Sequence, residues 1–230
     1  MLVTLSPTLR EIAPEVRRRV ARLFDTELSD HIAKNHLRRD PVLARIVDRE
    51  PGLRLPGAWD PFEMGVRAIL GQQVSVAAAR TLAGRLVERY GQPLSNDRAD
   101  QPLTNLFPQA ADLHRKRLAI GLPRTRARTL RAFAEVALRD SLMLTDGSFE
   151  RRRVRLAAIP GVGPWTSEYI ALRVFGDRDA FPATDLGLLR GFQRLTRTTV
   201  TAADLQRRAE CWRPWRAYAA QYLWRATALA

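Results

Sequence analysis

A glycine hairpin with a carboxylate behind it constrains this chain more than any other feature. Residues 155–190 read RLAAIPGVGPWTSEYIALRVFGDRDAFPATDLGLLR. Pro160 can end a first helix because proline blocks its continuation, and Gly161 and Gly163 permit the positive φ or close backbone approach that a tight reversal needs. The pattern predicts a helix, a hairpin, a second helix, and then a loop that delivers Asp185 to the start of another helix.

The start of the second helix is a candidate phosphate site. Pro164 suits the first turn of a helix, where its missing N–H costs nothing. A helix N-terminus with glycine amides in front of it presents N–H groups and a partial positive charge, which together can bind one phosphate. Taken alone, a Gly-Val-Gly sequence is typical of a plain turn between two packed helices, so the case for a site depends on the residues after the hairpin.

Aromatic rings and a carboxylate come after the hairpin. Trp165 and Tyr169 lie four residues apart and therefore share one face of the second helix. Asp185 comes after a proline-bearing, otherwise apolar loop, so we expect it to be partly buried. It fits a functional carboxylate, and it also fits the N-cap of a helix from Leu186 to Leu195. A phosphate clamp, an aromatic face and a carboxylate in one compact unit favour a functional site.

The charge of the chain predicts an anionic partner. The 230 residues include 38 Lys plus Arg against 24 Asp plus Glu, which gives a formal net charge of +14. Nucleic acid is the first expectation for such a chain. The single cysteine, Cys211, excludes an intramolecular disulfide and a four-cysteine iron–sulfur cluster.

The sequence also bears on the cellular setting. No apolar run approaches the roughly 20 residues of a membrane span, and the first residues lack the basic-then-apolar order of a signal peptide. We therefore expect an intracellular, cytoplasmic protein without a membrane partner. The three histidines have no metal-ligand spacing with cysteine or carboxylate neighbours, so we interpret them as surface or cap residues.

Three separated segments together carry a family resemblance. They are IPGVGPWT followed by FPATD, which ends at Asp185; LRLPGAWDPFEMGVRAILGQQVSV, over residues 53–76; and ECWRPWRAYAAQYLW, over residues 210–224. In their order along the chain they resemble the helix-hairpin-helix (HhH-GPD) DNA glycosylases, and among them the AlkA-type 3-methyladenine DNA glycosylases. The resemblance implies an all-α, two-lobed fold with little or no β-structure and a catalytic cleft between the lobes.

The resemblance also implies a division into domains. Residues 1–36 correspond to the last strand and helix of the family's N-terminal α/β domain, with the strand expected at Val3 to Leu5. Residues 61–177 form the central helical domain that carries the hairpin. Residues 37–60 and 178–230 form the second helical lobe, with Asp185 and the C-terminal aromatics. A lone strand has nothing to pair with, so the N-terminal domain is absent or its strand is adapted.

Several helix boundaries are marked in the sequence itself. Ser75 is a candidate cap for a helix that runs from Val76 to Tyr90 and stops at Gly91. Thr201 and Asp204 have the spacing of a capping box, with aspartate in place of glutamate.

The resemblance assigns DNA contacts to the hairpin and to a second turn. Gly161, Gly163 and Thr166 match the hairpin positions that contact DNA. Gln72 and Gln73 lie in the turn after the helix that begins at Pro61, where the family inserts a side chain into the minor groove. Gln73 matches that wedge. From the residues alone, the two amides are better explained as partners for the ends of the flanking helices.

Other roles follow from the same resemblance. Trp165, Tyr169 and Trp224 line the pocket for the damaged base, and Asp185 is the catalytic carboxylate. In bifunctional relatives a lysine follows the hairpin, where this chain has Trp165. The main-chain carbonyls matching a monovalent cation site, for Na⁺ or K⁺, belong to these residues: Ala157, Ile159 and Val162.

These observations predict a monofunctional DNA-3-methyladenine glycosylase of type II. It would excise alkylated purines such as 3-methyladenine and 7-methylguanine from duplex DNA by hydrolysis, in base excision repair, without lyase activity. We expect a monomer, associated with the nucleoid, that needs no cofactor. The alternatives are a non-catalytic DNA-binding protein that uses the same hairpin, or a glycosylase for deaminated or oxidised bases.

Overall fold

The fold is helical throughout the part of the chain that the structure describes. The computed structural model describes residues 2–27, 31–94, 103–115, 117–140, 144 and 147–228. Within these ranges the only β feature is an isolated antiparallel bridge between Pro93 and Asn105. The predicted all-α fold is confirmed. Among the described residues, no helix has the length and apolar character that crossing a membrane requires.

The described residues form α-helices over most of their length. In chain order they are α1 (Ala13–Phe24), α2 (His31–Leu37), α3 (Ala44–Arg49), α4 (Pro61–Leu70), α5 (Val76–Tyr90), α6 (Ala110–Arg115), α7 (Arg124–Arg139), α8 (Phe149–Ala157), α9 (Pro164–Ile170), α10 (Leu186–Thr196), α11 (Ala202–Ala209) and α12 (Arg216–Ala228). Short 3₁₀ helices cover Pro7–Ile12 and Glu210–Trp212, and a π-helical turn covers Ala171–Phe175.

The chain divides into two compact units. One unit comprises Met1–Trp59 together with Gly176–Ala230, and the other comprises Asp60–Phe175. We call them the Asp185 unit and the hairpin unit, after the candidate site residues that each contains. The assignment of residues 1–36 to a remnant of a separate domain stays a prediction.

The N-terminal strand prediction is wrong. Residues Val3 to Leu5 form no regular structure, and Leu2 and Val3 are 93% and 46% exposed. A strand needs a neighbour to satisfy its backbone groups, and the described residues provide none here. The helix expected in this segment is present in two parts, a 3₁₀ segment over Pro7–Ile12 and α1.

Helix caps lie where the sequence predicted them. The Ser75 hydroxyl accepts a hydrogen bond from the Ala78 N–H at 3.2 Å, and α5 ends immediately before Gly91. Thr201 and Asp204 form both hydrogen bonds of a capping box at the start of α11. These local signals are reliable because a cap needs only neighbours within one helical turn.

In the Asp185 unit, α12 is the central element of the core. Tyr218, Tyr222 and Leu223 on this helix are almost completely buried. Its close contact with α10 depends on Gly191, because a Cβ there would lie 2.0 Å from the Leu223 carbonyl oxygen. Burial of each large apolar side chain stabilises the fold by roughly 1.5 to 3 kcal/mol. The two helices that carry Asp185 and Trp224 are therefore held rigidly together.

In the hairpin unit, α4 packs on α7 through a similar glycine contact. The rings of Phe62 and Phe133 stack with centroids 5.6 Å apart. A Cβ at Gly65 would lie 2.2 Å from the Phe133 ring, so only glycine permits this spacing. The packing holds the first half of α4 against α7, and the turn at Gln72 and Gln73 follows the other end of α4.

Candidate DNA interface and active site

The hairpin reverses the chain between α8 and α9, and Gly161 makes the reversal possible. Its φ is +85°, in the left-handed region that glycine adopts without strain. A Cβ at this position would also lie 1.9 Å from the Thr129 hydroxyl oxygen of α7. Glycine is therefore required at position 161 for both predicted reasons, the positive φ and the close approach of a neighbouring element. Helix α8 ends at Ala157, before Pro160, as predicted.

Gly163 has a different environment. Its φ of −86° is open to any residue, and no atom lies within 4 Å of the point that a Cβ would occupy. Neither of the predicted reasons for glycine therefore applies within the protein. Gly163 is exposed and caps α9, whose first residue is Pro164 as expected. The open space in front of it suits the close approach of an external ligand to the main chain.

Gln72 ties the α4–α5 turn to the hairpin. Its side-chain amide donates to the Gly161 carbonyl and to the Thr166 hydroxyl, both at 2.9 Å. The Arg126 guanidinium donates to the main-chain carbonyl of Gln72 at 2.6 Å. The Gln72 amide thus binds the hairpin and α9, and not the ends of the flanking helices α4 and α5, which its position had suggested. Its predicted DNA contact stays a prediction.

The Thr166 side chain belongs to the interior. This residue is 2% exposed, and its hydroxyl accepts the hydrogen bond from Gln72. Only its main-chain N–H, in the first turn of α9 where a helix supplies no acceptor, suits the predicted DNA contact.

Gln73 is held in an unfavourable backbone conformation. Its φ is +54°, and the residue is exposed. The left-handed conformation costs a non-glycine residue roughly 1 to 2 kcal/mol. Strain of this kind is concentrated at functional sites, where the surrounding structure imposes it. The geometry favours a functional side chain at Gln73, and its role as a wedge stays a prediction.

The two aromatic side chains of α9 form a stacked pair. The ring centroids of Trp165 and Tyr169 are 5.2 Å apart, and the ring planes differ by 12°. Both side chains are half-buried. A Cβ at Gly71 would lie 4.0 Å from the Trp165 ring, which places this ring beside the α4–α5 turn. The hairpin unit therefore brings together the reversal, the strained turn and the aromatic pair.

Asp185 is the N-cap of α10, which is one of the two roles predicted for it. Its Oδ1 accepts hydrogen bonds from the Gly187 N–H at 2.8 Å and the Leu188 N–H at 3.1 Å. The indole N–H of Trp224 donates to the same oxygen at 2.8 Å. The carboxylate is half-buried at the positive end of the helix. These groups stabilise a negative charge at Asp185.

Gly187 is a site residue that the sequence analysis missed. A Cβ there would lie 2.9 Å from Asp185 Oδ1 and 2.9 Å from the Trp224 ring. The absence of a side chain thus lets the indole reach the carboxylate. A glycine in the first turn after a suspected N-cap, where it weakens the helix, is the signal that would have identified it.

The three carbonyls matched to a cation site lie around the hairpin. Ala157 is the last residue of α8, so its carbonyl lies beyond the intrahelical hydrogen bonds. The Ile159 carbonyl accepts from the Val162 N–H at 3.0 Å and keeps a second lone pair. Among the described residues no cluster of three or more His, Cys, Asp or Glu side chains could hold a metal. Neutral oxygen donors at a reversal fit a monovalent cation.

Two family models match this chain. Residues 66–217 match the HhH-GPD superfamily base excision DNA repair protein model, and residues 1–60 match the AlkA N-terminal domain model. The first match covers more than half of the chain and includes every candidate site residue except Trp224.

Curated relatives give the same result. The chain is 38% identical over 228 residues to the DNA-3-methyladenine glycosylase 2 of Escherichia coli, a match that covers 96% of this chain and 75% of the relative. It is 44% identical over 215 residues to a probable bifunctional transcriptional activator/DNA repair enzyme AlkA of Mycobacterium tuberculosis. That match covers 90% of this chain and 41% of the relative, so the chain spans less than half of the Mycobacterium protein.

The fold is similar to that of a solved glycosylase. The structure of a 3-methyladenine DNA-glycosylase from Archaeoglobus fulgidus aligns with a TM-score of 0.79 at 23% identity, covering 98% of this chain and 77% of that one. At this identity the likeness concerns the fold alone. The family model and the Escherichia coli relative carry the assignment: the chain belongs to the HhH-GPD superfamily of base excision DNA repair proteins.

Proposed function

We propose that this protein is a DNA glycosylase that removes alkylated purines from duplex DNA by hydrolysing the N-glycosidic bond. The observation that carries the proposal is the Asp185 carboxylate, half-buried and fixed by two backbone N–H groups and the Trp224 indole. A carboxylate held rigidly by neutral donors can meet positive charge that develops in a transition state. The names of the curated relatives support the substrate class.

Base selection depends on the aromatic side chains. Alkylation at a ring nitrogen makes a purine electron-poor and often cationic. Trp165, Tyr169 and Trp224 present electron-rich faces, and a cation above such a face gains about 0.5 to 2 kcal/mol per ring. The target nucleotide must first leave the helical stack, at a cost of a few kcal/mol, before its base can stack on an aromatic ring. Gln73 fills the gap that the extruded nucleotide leaves.

The DNA backbone is held at the hairpin. The exposed main chain at Gly163 and the first turn of α9 offer N–H groups and a partial positive charge to one phosphate. The carbonyls of Ala157, Ile159 and Val162 would hold a monovalent cation, which adds positive charge where the phosphate binds.

The chemical step is hydrolysis at C1′ of the sugar. As the bond from C1′ to the base nitrogen lengthens, its electron pair leaves with the base and positive charge develops on the sugar. Asp185 stabilises that oxocarbenium character, and a water oxygen then bonds to C1′ and gives a proton to the Asp185 carboxylate, which releases it to solvent. The alkylated base is already a good leaving group, so a strong general acid is unnecessary. The products are a free base and an abasic site.

We propose that the enzyme has no lyase activity. Strand cleavage in bifunctional relatives needs an amine nucleophile after the hairpin, and Trp165 occupies that position here. The sequence contains two lysines, Lys34 and Lys116. Lys34 lies in α2 and donates a hydrogen bond to the Pro51 carbonyl.

The decisive experiment compares wild type with Asp185→Asn on methylated duplex DNA. Asparagine is as good an N-cap as aspartate, so the variant keeps the start of α10 while it loses the charge. We expect the single-turnover rate of base release to fall by at least about 100-fold with DNA affinity retained. The matched control is Asp204→Asn, the same change at the start of α11 in the same unit, which leaves the rate unchanged.

Three outcomes contradict parts of the proposal. Equal release by wild type and Asp185→Asn removes Asp185 from the mechanism. Strand scission by wild type without added base or heat contradicts the absence of lyase activity. If the wild type binds damaged duplex tightly but releases no base from any damaged DNA, the protein is a non-catalytic DNA-binding module.

A further inference from the structure

Arg173 contacts the aromatic pair from within the same unit. Its Cζ lies 5.8 Å from the centroid of the Tyr169 ring, and its Nη1 donates to the Tyr169 hydroxyl at 3.3 Å. Tyr169 in turn stacks on Trp165. The three side chains occur at four-residue intervals and form a continuous series from Trp165 through Tyr169 to Arg173. Neither the family match nor the proposed function assigns a role to Arg173.

The local backbone fixes the position of this guanidinium. Arg173 is in the π-helical turn Ala171–Phe175, which continues α9. Single π turns are rare and occur frequently at functional sites. The other four residues of the turn are buried in the core. Arg173 is half-buried, so its charged group is held beside Tyr169 by the packing of its neighbours.

A fixed cation at this place has two physical effects. The hydrogen bond to the hydroxyl and the contact with the ring restrict the rotation of Tyr169, which keeps its plane within 12° of the Trp165 plane. The positive charge also interacts with the electron-rich face that would otherwise attract a cationic ligand. Two like charges near one ring repel, and the repulsion is stronger where water is partly excluded.

We propose that Arg173 is a positioning and specificity-determining residue for the base pocket. It holds Tyr169 parallel to Trp165, and its charge reduces the preference of the pair for positively charged bases relative to neutral ones. The enzyme would thereby accept neutral damaged bases that a purely cation-selective aromatic pocket would process poorly. This inference rests on the proposed function, because it assumes that the damaged base stacks on the pair.

The test compares two substrates and two variants. Release of the base is measured under single-turnover conditions for wild type, Arg173→Met and Arg173→Lys. The duplexes contain either 7-methylguanine, which is cationic, or hypoxanthine, which is neutral. Methionine keeps the length of the apolar stem and removes the charge. Lysine keeps the charge and loses the planar fork that the tyrosine hydroxyl and ring contact.

We expect the ratio of the 7-methylguanine rate to the hypoxanthine rate to rise about fivefold in Arg173→Met, because the repulsion is removed. In Arg173→Lys the ratio stays within about twofold of wild type, while both rates fall because Tyr169 is less well held. The matched control is Arg178→Met. Arg178 makes a similar contact with the Trp215 ring, at 5.9 Å, in the Asp185 unit, and its loss leaves the ratio unchanged.

The outcomes separate this inference from the proposed function. A merely structural arginine would lower both rates by one factor in both variants, and that result would overturn the specificity role. A ratio that falls in Arg173→Met would overturn it as well. If the wild type releases neither base nor any alkylated purine, the proposed function is wrong and the inference falls with it.

Discussion

The hairpin unit and the Asp185 unit hold their functional groups by different physical means. In the hairpin unit, a glycine at positive φ, an amide that donates to a carbonyl and a hydroxyl, and two stacked rings fix the geometry. In the Asp185 unit, one carboxylate oxygen collects three N–H donors. The first arrangement determines shape, and the second determines where a negative charge is placed.

A comparison within the Asp185 unit shows why the type of donor matters. Asp40 is ion-paired with Arg208, and Asp179 is ion-paired with Arg213 and Arg216. Those carboxylates stabilise the fold through cationic partners, which cancel their charge. The Oδ1 atom of Asp185 accepts from two backbone N–H groups and one indole N–H, none of which carries a formal charge. These donors orient the carboxylate, as a group that acts on developing positive charge requires.

The largest expected effect separates the two hairpin glycines. Gly161→Ala must adopt a positive φ and push against the Thr129 hydroxyl, so we expect the free energy of unfolding to fall by about 2 to 4 kcal/mol. Gly163→Ala meets no atom and should change it by less than about 0.5 kcal/mol. Urea unfolding of the two variants measures both values.

Gly163→Ala is the more informative of the two substitutions for DNA binding. If Gly163 is bare so that a phosphate can approach, Gly163→Ala weakens duplex binding by about tenfold although its stability is unchanged. Equal destabilisation by the two substitutions would contradict the distinction between them. Unaltered affinity in Gly163→Ala would place the phosphate contact elsewhere.

The next largest effect tests how the Asp185 carboxylate is held. Trp224→Phe keeps a ring in place and removes the indole N–H from Asp185, a hydrogen bond to a charged group worth about 1.5 to 3 kcal/mol. We expect the rate of base release to fall by at least about tenfold and the free energy of unfolding to fall by up to about 3 kcal/mol. Single-turnover kinetics and thermal unfolding measure the two quantities.

Trp212→Phe is the matched control for this change. Trp212 donates through its indole N–H to Asp40 at 2.9 Å, and it is fully buried. Its replacement is expected to lower the free energy of unfolding while the folded protein keeps its rate. A variant of Trp224 that loses stability and no activity would show that its indole serves the fold, as the indole of Trp212 does.

The sequence predicts local features of both units well, for reasons that these residues illustrate. The caps at Ser75 and Thr201 and the start of α9 at Pro164 depend on neighbours within one turn, and each was correctly predicted. The stacking of Trp165 on Tyr169 follows from helical spacing in the same way. Position in a helix is a short-range property, so pattern alone is sufficient.

Features that depend on distant contacts were not predictable. The glycine at 187 matters because Trp224, from another helix, needs the space; its place after the N-cap marks it as unusual but does not reveal the contact. The interior role of Thr166 depends on Gln72, which is distant in sequence. The π turn that fixes Arg173 has no strong local signature. The prediction of a strand from Val3 to Leu5 was wrong for the same reason, since a strand forms only with a partner strand.

The smallest expected effect concerns the strained turn at Gln73. Gln73→Gly relieves the left-handed conformation at some cost in chain entropy, so we expect the free energy of unfolding to rise by about 0.5 to 1 kcal/mol. If the side chain fills the gap left by an extruded nucleotide, base release from duplex DNA falls severalfold. Release from single-stranded DNA, where no gap forms, stays the same. Urea unfolding and paired kinetic assays on the two DNA forms give these values.

A second substitution at this position, Gln73→Asn, is informative because asparagine tolerates positive φ and carries its amide group on a shorter side chain. A Gln73→Asn protein that is as stable as Gln73→Gly and as slow on duplex DNA shows that the reach of glutamine is needed. If Gln73→Gly gains stability and keeps its full rate on duplex DNA, the strain has no functional purpose. The wedge would then have to be sought elsewhere in the α4–α5 turn, where Gln72 is already engaged with the hairpin.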